Sequence, residues 1–184
     1  MILFYSHKEK TYKTDQFRAY FSQFYQEEFV GKTKGIPYEL PIDAKYIDNV
    51  VFMCRESYMH ACKALIFGDL ATYDKIIKEI NPNSVKSLGR KVKGFKENTW
   101  KDWAYKIVVN GNYLQFSQND KMKKALIDTK DSIIAEASSD DNIWGIGKRE
   151  INIKNVDELK KLITKDNNLL GKALMEVRDI LNNN

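Results

Sequence analysis

Three polar side chains that could do chemistry fall on one predicted helix. Glu56, His60 and Lys63 follow one another at steps of four and three residues, which places them in a narrow stripe on an α-helix. If this stripe lined a pocket, burial would raise the pKa of the carboxyl group or lower the pKa of the amine, and equip them for acid–base or imine chemistry. A solvent-facing helix side with weak charge pairs is the alternative. The spacing alone does not decide between the two.

A second candidate is the acidic loop that ends in Trp144-Gly145-Ile146-Gly147. Its glycines would let the backbone approach a ligand closely, and Trp144 could stack on a base or a sugar. One of its acids, Glu136, Asp140 or Asp141, could act at a glycosidic centre. The alternative is a tight, tryptophan-anchored connection without a ligand, because Gly-x-Gly alone is weak evidence for a phosphate cradle.

A third candidate is Gly89-Arg90, which could present a guanidinium group to a phosphate or a carboxylate. Because a Gly-Arg pair is common in proteins, this pair by itself indicates a structural role and not a binding site. The two histidines are too few for a histidine metal site, and two cysteines provide neither a disulfide framework nor a four-ligand zinc site. A Walker loop and a Gly-x-Ser-x-Gly elbow are also absent from the sequence. We therefore expect no metal and no cofactor.

The composition is that of a globular protein. The chain has 184 residues, of which 43% are hydrophobic and 30% charged, and its formal net charge is +5. No run of about 20 apolar residues occurs, and the apolar start is too short for a signal peptide. We expect one domain in the cytoplasm, away from membranes. The positive charge permits an anionic ligand without identifying it.

Periodicity predicts the elements that would position these residues. Residues 56–67 form a helix whose apolar face, with Tyr58 and Cys62, meets the core. Further helices are expected over 70–80, 100–109, 118–129, 155–163 and 169–181, and short strands over 50–53 and 131–137. Ser84 would cap a turn that leads into Gly89.

Several short blocks of sequence, taken in chain order, resemble the NADAR (YbiA-like) family. They run from residue 4 to residue 181 and so span nearly the whole chain. The blocks are Phe4-Tyr5, Phe21-Ser22-Gln23-Phe24-Tyr25, Glu56-Ser57-Tyr58-Met59-His60-Ala61-Cys62-Lys63-Ala64, Leu88-Gly89-Arg90 with Trp100, Phe116-Ser117-Gln118-Asn119, Glu136-Ala137-Ser138 with Asp141-Asn142-Ile143-Trp144-Gly145-Ile146-Gly147, and Asn168-Leu169-Leu170-Gly171-Lys172-Ala173-Leu174-Met175-Glu176-Val177-Arg178. Each block alone is weak evidence for this resemblance, but all of them together, in the order of the family, are strong evidence.

The resemblance implies a compact, mostly helical α+β single domain with a few short strands over residues 1–184. It also implies a hydrolase that cleaves N-glycosidic bonds. Members act on phosphoribosylated riboflavin-pathway intermediates or remove ADP-ribose from guanine in nucleic acid. Carried over by position, the catalytic residues would be Glu56, Lys63 and Asp141, and the substrate-binding residues Phe21, Ser22, Phe24, Arg90, Trp144 and Gly145.

Two features depart from the family pattern. Gln23 stands where the usual block has an asparagine, and residues 31–53 form a longer, variable insert that could reshape the mouth of the pocket. The insert and the net charge favour slightly a larger, polyanionic substrate. The sequence carries no signal for an oligomeric state.

The resemblance leads to a mechanistic hypothesis. Glu56 and Asp141 would flank the anomeric carbon, one stabilising the oxocarbenium ion and one positioning water. Lys63 would donate a proton, hold the carboxylates, or form a Schiff base with the sugar. The alternative is a module that binds ADP-ribose or NAD without turnover. The expected partner is a phosphorylated ribosyl or ADP-ribosyl substrate, which includes modified nucleic acid.

Overall fold

The computed structural model describes residues 1–183, and helices form most of its regular structure. Asn184, the last residue of the predicted domain, lies outside the described residues. In chain order the elements are β1 (Ile2–Phe4), β2 (Phe29–Val30), β3 (Val51–Phe52), α1 (Arg55–Ile66), α2 (Leu70–Ile76), α3 (Pro82–Arg90), α4 (Glu97–Ser117), α5 (Asp120–Ile127), β4 (Ile134–Glu136), α6 (Val156–Leu162) and α7 (Leu169–Asn182). The expected α+β class, mostly helical with a few short strands, is confirmed.

The chain divides into two compact units. The central unit is Gln26–Gln118, and the terminal unit combines Met1–Tyr25 with the described residues from Asn119 onward. Each unit has its own apolar core. The single domain over residues 1–184, with a variable insert at 31–53, stays a prediction. None of the helices within residues 1–183 is long and apolar enough to cross a membrane.

Helix α1 is the centre of the central unit and packs against α2, α3 and α4. Its predicted apolar face is confirmed, because Tyr58, Ala61 and Cys62 are buried in the core. The helix begins one residue earlier than predicted. Cys54 is its N-cap, and the Ser57 hydroxyl donates a 2.6 Å hydrogen bond back to the Cys54 carbonyl oxygen. This cap directs Glu56 into the interior from the first turn.

Helix α4 is much longer than the predicted 100–109. Asn110-Gly111-Asn112, which follows the predicted end, is a sequence typical of a turn. Instead, Asn110 pairs with both backbone groups of Tyr38, accepting from its nitrogen at 2.9 Å and donating to its oxygen at 2.7 Å. A Cβ at residue 111 would lie 3.0 Å from the Tyr58 ring. Tertiary contacts therefore carry the helix through this segment and anchor part of the 31–53 insert.

Helix α3 replaces the predicted turn at Ser84. Asn81 caps it by accepting a hydrogen bond from the backbone nitrogen of Asn83, and Pro82 occupies the first helical turn, where its missing N–H costs nothing. The helix ends at Arg90. Its last turn therefore carries the Gly89-Arg90 pair.

In the terminal unit, β1 and β4 form a parallel pair in which Ile2, Leu3 and Phe4 lie opposite Ile134, Ala135 and Glu136. Helix α7, predicted over 169–181, is confirmed and packs against β4. Residues 16–21 of this unit form a 3₁₀ helix.

In the central unit, the strand β2 pairs with β3 in antiparallel register.

Candidate functional site

A buried hydrogen bond joins two of the three stripe residues on α1. The Nε2 atom of His60 lies 3.1 Å from Oε1 of Glu56, and the two residues are 6% and 4% exposed. Nδ1 of His60 is buried and has no hydrogen-bond partner among the described residues. The ring proton therefore belongs on Nε2, which donates it to the Glu56 carboxylate. This excludes the solvent-facing alternative for Glu56 and His60.

Gly89 shapes this cluster from α3. A Cβ at residue 89 would lie 2.0 Å from Nδ1 of His60, so only glycine leaves room for the imidazole ring. The Gly89 carbonyl oxygen accepts a 3.0 Å hydrogen bond from Nζ of Lys63. One backbone position thus contacts both His60 and Lys63.

Lys63 lies among aromatic rings. Its Nζ is 4.3 Å from the ring centroid of Phe95 and 5.4 Å from that of Trp100. No carboxylate lies within 4.0 Å of this nitrogen in the central unit as described. Partial burial lowers the pKa of Lys63. More of its amine is therefore neutral at a given pH than in an exposed lysine.

Two arginines near this cluster differ in their surroundings. Arg90, the predicted phosphate contact, is exposed, and its side chain makes no hydrogen bond or ion pair within residues 1–183. Arg55 is buried beside Glu56, donates to the Asn112 side chain, and lies over the Phe116 ring at 5.0 Å. Burial lowers the pKa of Arg55 to about 9.

Asp141 organises its own loop in the terminal unit. Its Oδ1 accepts hydrogen bonds from the backbone nitrogens of Trp144 at 2.7 Å and Ile143 at 3.0 Å. Oδ2 has no hydrogen-bond partner among the described residues. One oxygen of this carboxylate therefore holds the loop, and the other makes no hydrogen bond within residues 1–183.

Close backbone contacts fix the loop that contains Trp144 and Gly145. A Cβ at residue 145 would lie 2.8 Å from the Glu136 carbonyl oxygen. The carbonyl oxygens of Ile143, Trp144 and Gly145 accept hydrogen bonds from the first backbone nitrogens of α7 and its cap, Leu169, Leu170 and Asn168. Trp144 is half-buried. The tryptophan-anchored connection is therefore present, whether or not the loop also binds a ligand.

The predicted aromatic wall has one buried and two partly exposed members. Phe21 is fully buried, with its ring against those of Phe4 and Phe17 at 5.9 Å. Ser22 and Phe24 are partly exposed, and Phe24 lies 5.8 Å from the His7 ring.

The structure thus groups the predicted residues by unit. It brings Glu56, Lys63 and the Gly89-Arg90 pair together in the central unit, while Asp141, Trp144, Gly145, Phe21, Ser22 and Phe24 belong to the terminal unit. The convergence of Glu56 with Asp141 stays a prediction, as do the assigned roles of all these residues. Within residues 1–183, no group of three or more His, Cys, Asp or Glu side chains could hold a metal ion.

Sequence reasoning missed two features of the central cluster, the contact of Gly89 with His60 and the burial of Arg55. The contact of Gly89 with His60 had a local signal, because a glycine inside a helix indicates a close approach by a neighbouring group. Arg55 had none, since an arginine beside a glutamate is common on helix surfaces. Its burial depends on Asn112 and Phe116, far along the chain.

Comparisons with known proteins agree with this architecture. The NADAR domain model matches residues 3–182. A protein named as an N-glycosidase, from Acanthamoeba polyphaga mimivirus, is 41% identical over 128 residues, which are 70% of this chain and 74% of that relative. Protein irg-1 of Caenorhabditis elegans is 33% identical over 163 residues, 88% of this chain and 74% of its own length.

The fold is also similar to a solved structure. The NMR structure of the E. coli protein YbiA matches with a TM-score of 0.66 at 20% identity, over 98% of this chain and 84% of that one. This likeness shows the fold. With the family model matched over nearly the whole chain, and two relatives above 30% identity, this chain belongs to the NADAR domain family.

Proposed function

We propose that this chain is a hydrolase that cleaves the N-glycosidic bond between a base and a ribose in a phosphorylated ribosyl substrate. Membership of the NADAR family and the similarity to a mimivirus protein named as an N-glycosidase support the activity. The observation that carries the proposal is on α1. A buried Glu56 carboxylate, held by His60, shares one helix stripe with a Lys63 amine whose pKa is lowered.

The Glu56 carboxylate and the Lys63 amine match the charges that develop during the reaction. Breaking an N-glycosidic bond places positive charge on the anomeric carbon and negative charge on the departing base. A carboxylate such as Glu56 stabilises the oxocarbenium ion, and His60 keeps that carboxylate in one orientation. For the second carboxylate, which would position the attacking water, the family resemblance names Asp141, and this role stays a prediction.

Lys63 has two roles that fit its surroundings. A protonated Lys63 would donate its proton to the leaving base. A neutral Lys63 would instead attack the anomeric carbon and displace the base, which leaves with the electrons of the glycosidic bond. Loss of a proton from the nitrogen and cleavage of the ribose ring C–O bond, with protonation of that oxygen, would then give the Schiff base. Borohydride reduces such an imine to a stable amine. A reduced adduct on Lys63, found by mass spectrometry of peptides, would establish the covalent route, and its absence with an active enzyme would contradict that route.

The sugar phosphate is assigned to Arg90. Its guanidinium group is exposed and has no partner within the described part of the chain, at the end of the helix that also presents Gly89. Two substrate classes meet these requirements, a phosphoribosylamino-pyrimidine and guanine-ADP-ribosylated DNA. We expect a phosphate on the ribose to be required in either case.

The test is release of free base, measured by chromatography, with both substrates in parallel. Glu56→Gln keeps the size of the side chain and should lower kcat by roughly 100-fold or more, as for removal of a group that stabilises transition-state charge. Glu97→Gln, which changes a carboxylate on the exposed start of α4, is the matched control. Saturable binding of ADP-ribose without base release from either substrate would contradict the proposal and favour the non-catalytic binding module.

A further inference from the structure

A cleft in the terminal unit lies where the two parallel strands end. Tyr5 directly follows β1, and Ala137, Ser138 and Ser139 directly follow β4. The backbone nitrogen of Ala137 donates a 2.7 Å hydrogen bond to the Phe4 carbonyl oxygen, so these two exits are adjacent. In open α/β sheets, ligands bind in the crevice outside the carboxyl ends of the strands. This cleft lies at the corresponding edge of a pair of only two strands.

The far wall of the cleft is the short 3₁₀ segment Glu150–Asn152 with the residue before it. Arg18 ties this wall to the strand, because its Nη1 lies 2.5 Å from Oε1 of Glu150 and donates to the Leu3 carbonyl oxygen at 2.9 Å. On the opposite side, the Tyr12 hydroxyl accepts hydrogen bonds from the backbone nitrogens of Tyr5 and Ser6. Both sides of the cleft are therefore held in place by side chains beneath it.

The lining combines apolar surface with one free cation. Tyr5 is 50% exposed and Ile151 is 86% exposed, so a ring and a branched aliphatic group are both available to a ligand. Arg149 is exposed and has no ion-pair partner in the described residues, whereas the neighbouring Glu150 is neutralised by Arg18. The hydroxyls of Ser138 and Ser139 add polar contacts.

The cleft measures about 590 Å³, a volume that holds a small organic ligand. A planar base would stack on Tyr5, a phosphate would pair with Arg149, and ribose hydroxyls would meet the serines. We infer that this cleft is a binding site for a nucleoside phosphate.

The inference extends the proposed function, and the link to the reaction rests on it. Ser138 and Ser139 lead directly into the loop of Asp141, which we assign to the scissile ribose. A nucleoside phosphate in the cleft would therefore belong to the part of the substrate beyond that ribose. Such a site favours an ADP-ribosyl or polynucleotide substrate over a simple phosphoribosyl one.

Calorimetric titration with AMP tests the site independently of catalysis. We expect AMP to bind, and Tyr5→Ala and Arg149→Ala each to weaken binding by about tenfold or more. Tyr5→Phe keeps the ring and should restore most of the affinity. Lys148→Ala removes an exposed cation one residue away that does not line the cleft, and should change Kd by about twofold or less. The three residues replaced in these variants, Tyr5, Lys148 and Arg149, are on the surface, so thermal unfolding should be unchanged.

A single-stranded oligonucleotide added as a competitor distinguishes the two sources of this ligand. Displacement of AMP would indicate a nucleotide within nucleic acid, and lack of displacement a free nucleotide. The inference is overturned if AMP does not saturate, or if Arg149→Ala behaves like Lys148→Ala. The proposed hydrolysis has its own readout, because AMP binding at the cleft without base release from any substrate would contradict the hydrolase and leave the cleft assignment standing.

Discussion

The ring of His60 and the backbone of Gly89 are packed so closely that no side chain fits at residue 89. A Cβ there would lie 2.0 Å from Nδ1 and 2.2 Å from Cγ of the imidazole. Glycine inside a helix costs about 1 kcal/mol relative to alanine. The close packing explains why α3 carries it. Since His60 bonds to Glu56 and the Gly89 carbonyl oxygen accepts from Lys63, α3 positions both chemical groups of α1.

Gly89→Ala should therefore destabilise the protein although it improves helix propensity. The clash with a buried ring costs about 1–3 kcal/mol, which outweighs a gain of about 1 kcal/mol. Urea unfolding measures the difference. Ser87→Ala, at an exposed position of the same helix, is the control and should stay within about 0.5 kcal/mol of the parent. A Gly89→Ala protein as stable as the parent would show that the ring moves aside freely.

His60→Gln should preserve much of the activity that His60→Leu loses. A glutamine amide can donate to the Glu56 carboxylate from the same helix face, whereas leucine leaves that buried carboxylate without its partner. We expect a drop in kcat of about tenfold or more for the leucine variant, with a smaller change in KM. Equal losses in both variants would indicate that His60 acts through the ring itself.

The lowered pKa of Lys63 predicts a pH dependence for imine formation. Burial disfavours the charged amine, so the neutral form appears at lower pH than in a free lysine, whose pKa is about 10.4. If the covalent route operates, the yield of borohydride-trapped adduct should rise with pH and level off below that value. Lys63→Met should abolish the adduct, and Lys75→Met, at an exposed position on α2, should not. A plateau only above pH 10.4 would contradict the burial effect.

Asp141 offers a way to separate structure from chemistry. Asp141→Asn keeps an oxygen that can accept from the backbone nitrogens of Ile143 and Trp144, but it removes the charge. We expect this variant to fold with nearly normal stability and to lose activity. Asp141→Ala should lose both stability and activity, with a destabilisation of about 1–2 kcal/mol because the hydrogen bonds to the loop backbone are missing. Thermal melts alongside base-release assays measure the two effects, and an active Asp141→Asn protein would remove Asp141 from the mechanism.

Both cysteines should be inert in the folded protein. Burial raises the pKa of the Cys62 thiol to about 12 and also raises the pKa of Cys54. Thiolates are the reactive form, and they appear only as the pH rises through these raised values, so little is present at pH 8. A colorimetric thiol reagent should detect neither cysteine natively and both after denaturation. In the Cys54→Ser variant, the reagent should detect one thiol after denaturation and none in the native protein.

The sequence by itself determined the elements whose signals are local. The apolar face of α1, the long stripe of α7 and the Asn155 cap of α6 were all readable, because helix periodicity and capping depend on residues within about four positions. The stripe of Glu56, His60 and Lys63 was visible for the same reason. Family membership was also readable, because its blocks occur in order along the chain.

Only the tertiary structure decided what those residues touch. Asn110 continues α4 through a turn-like segment because it pairs with the Tyr38 backbone. Residue 89 is a glycine inside a helix because His60 leaves no room for a side chain. The cleft beside Tyr5 exists because β1 and β4, more than a hundred residues apart, end side by side. Contacts of this kind join distant parts of the chain, and their energies depend on burial that no local pattern records.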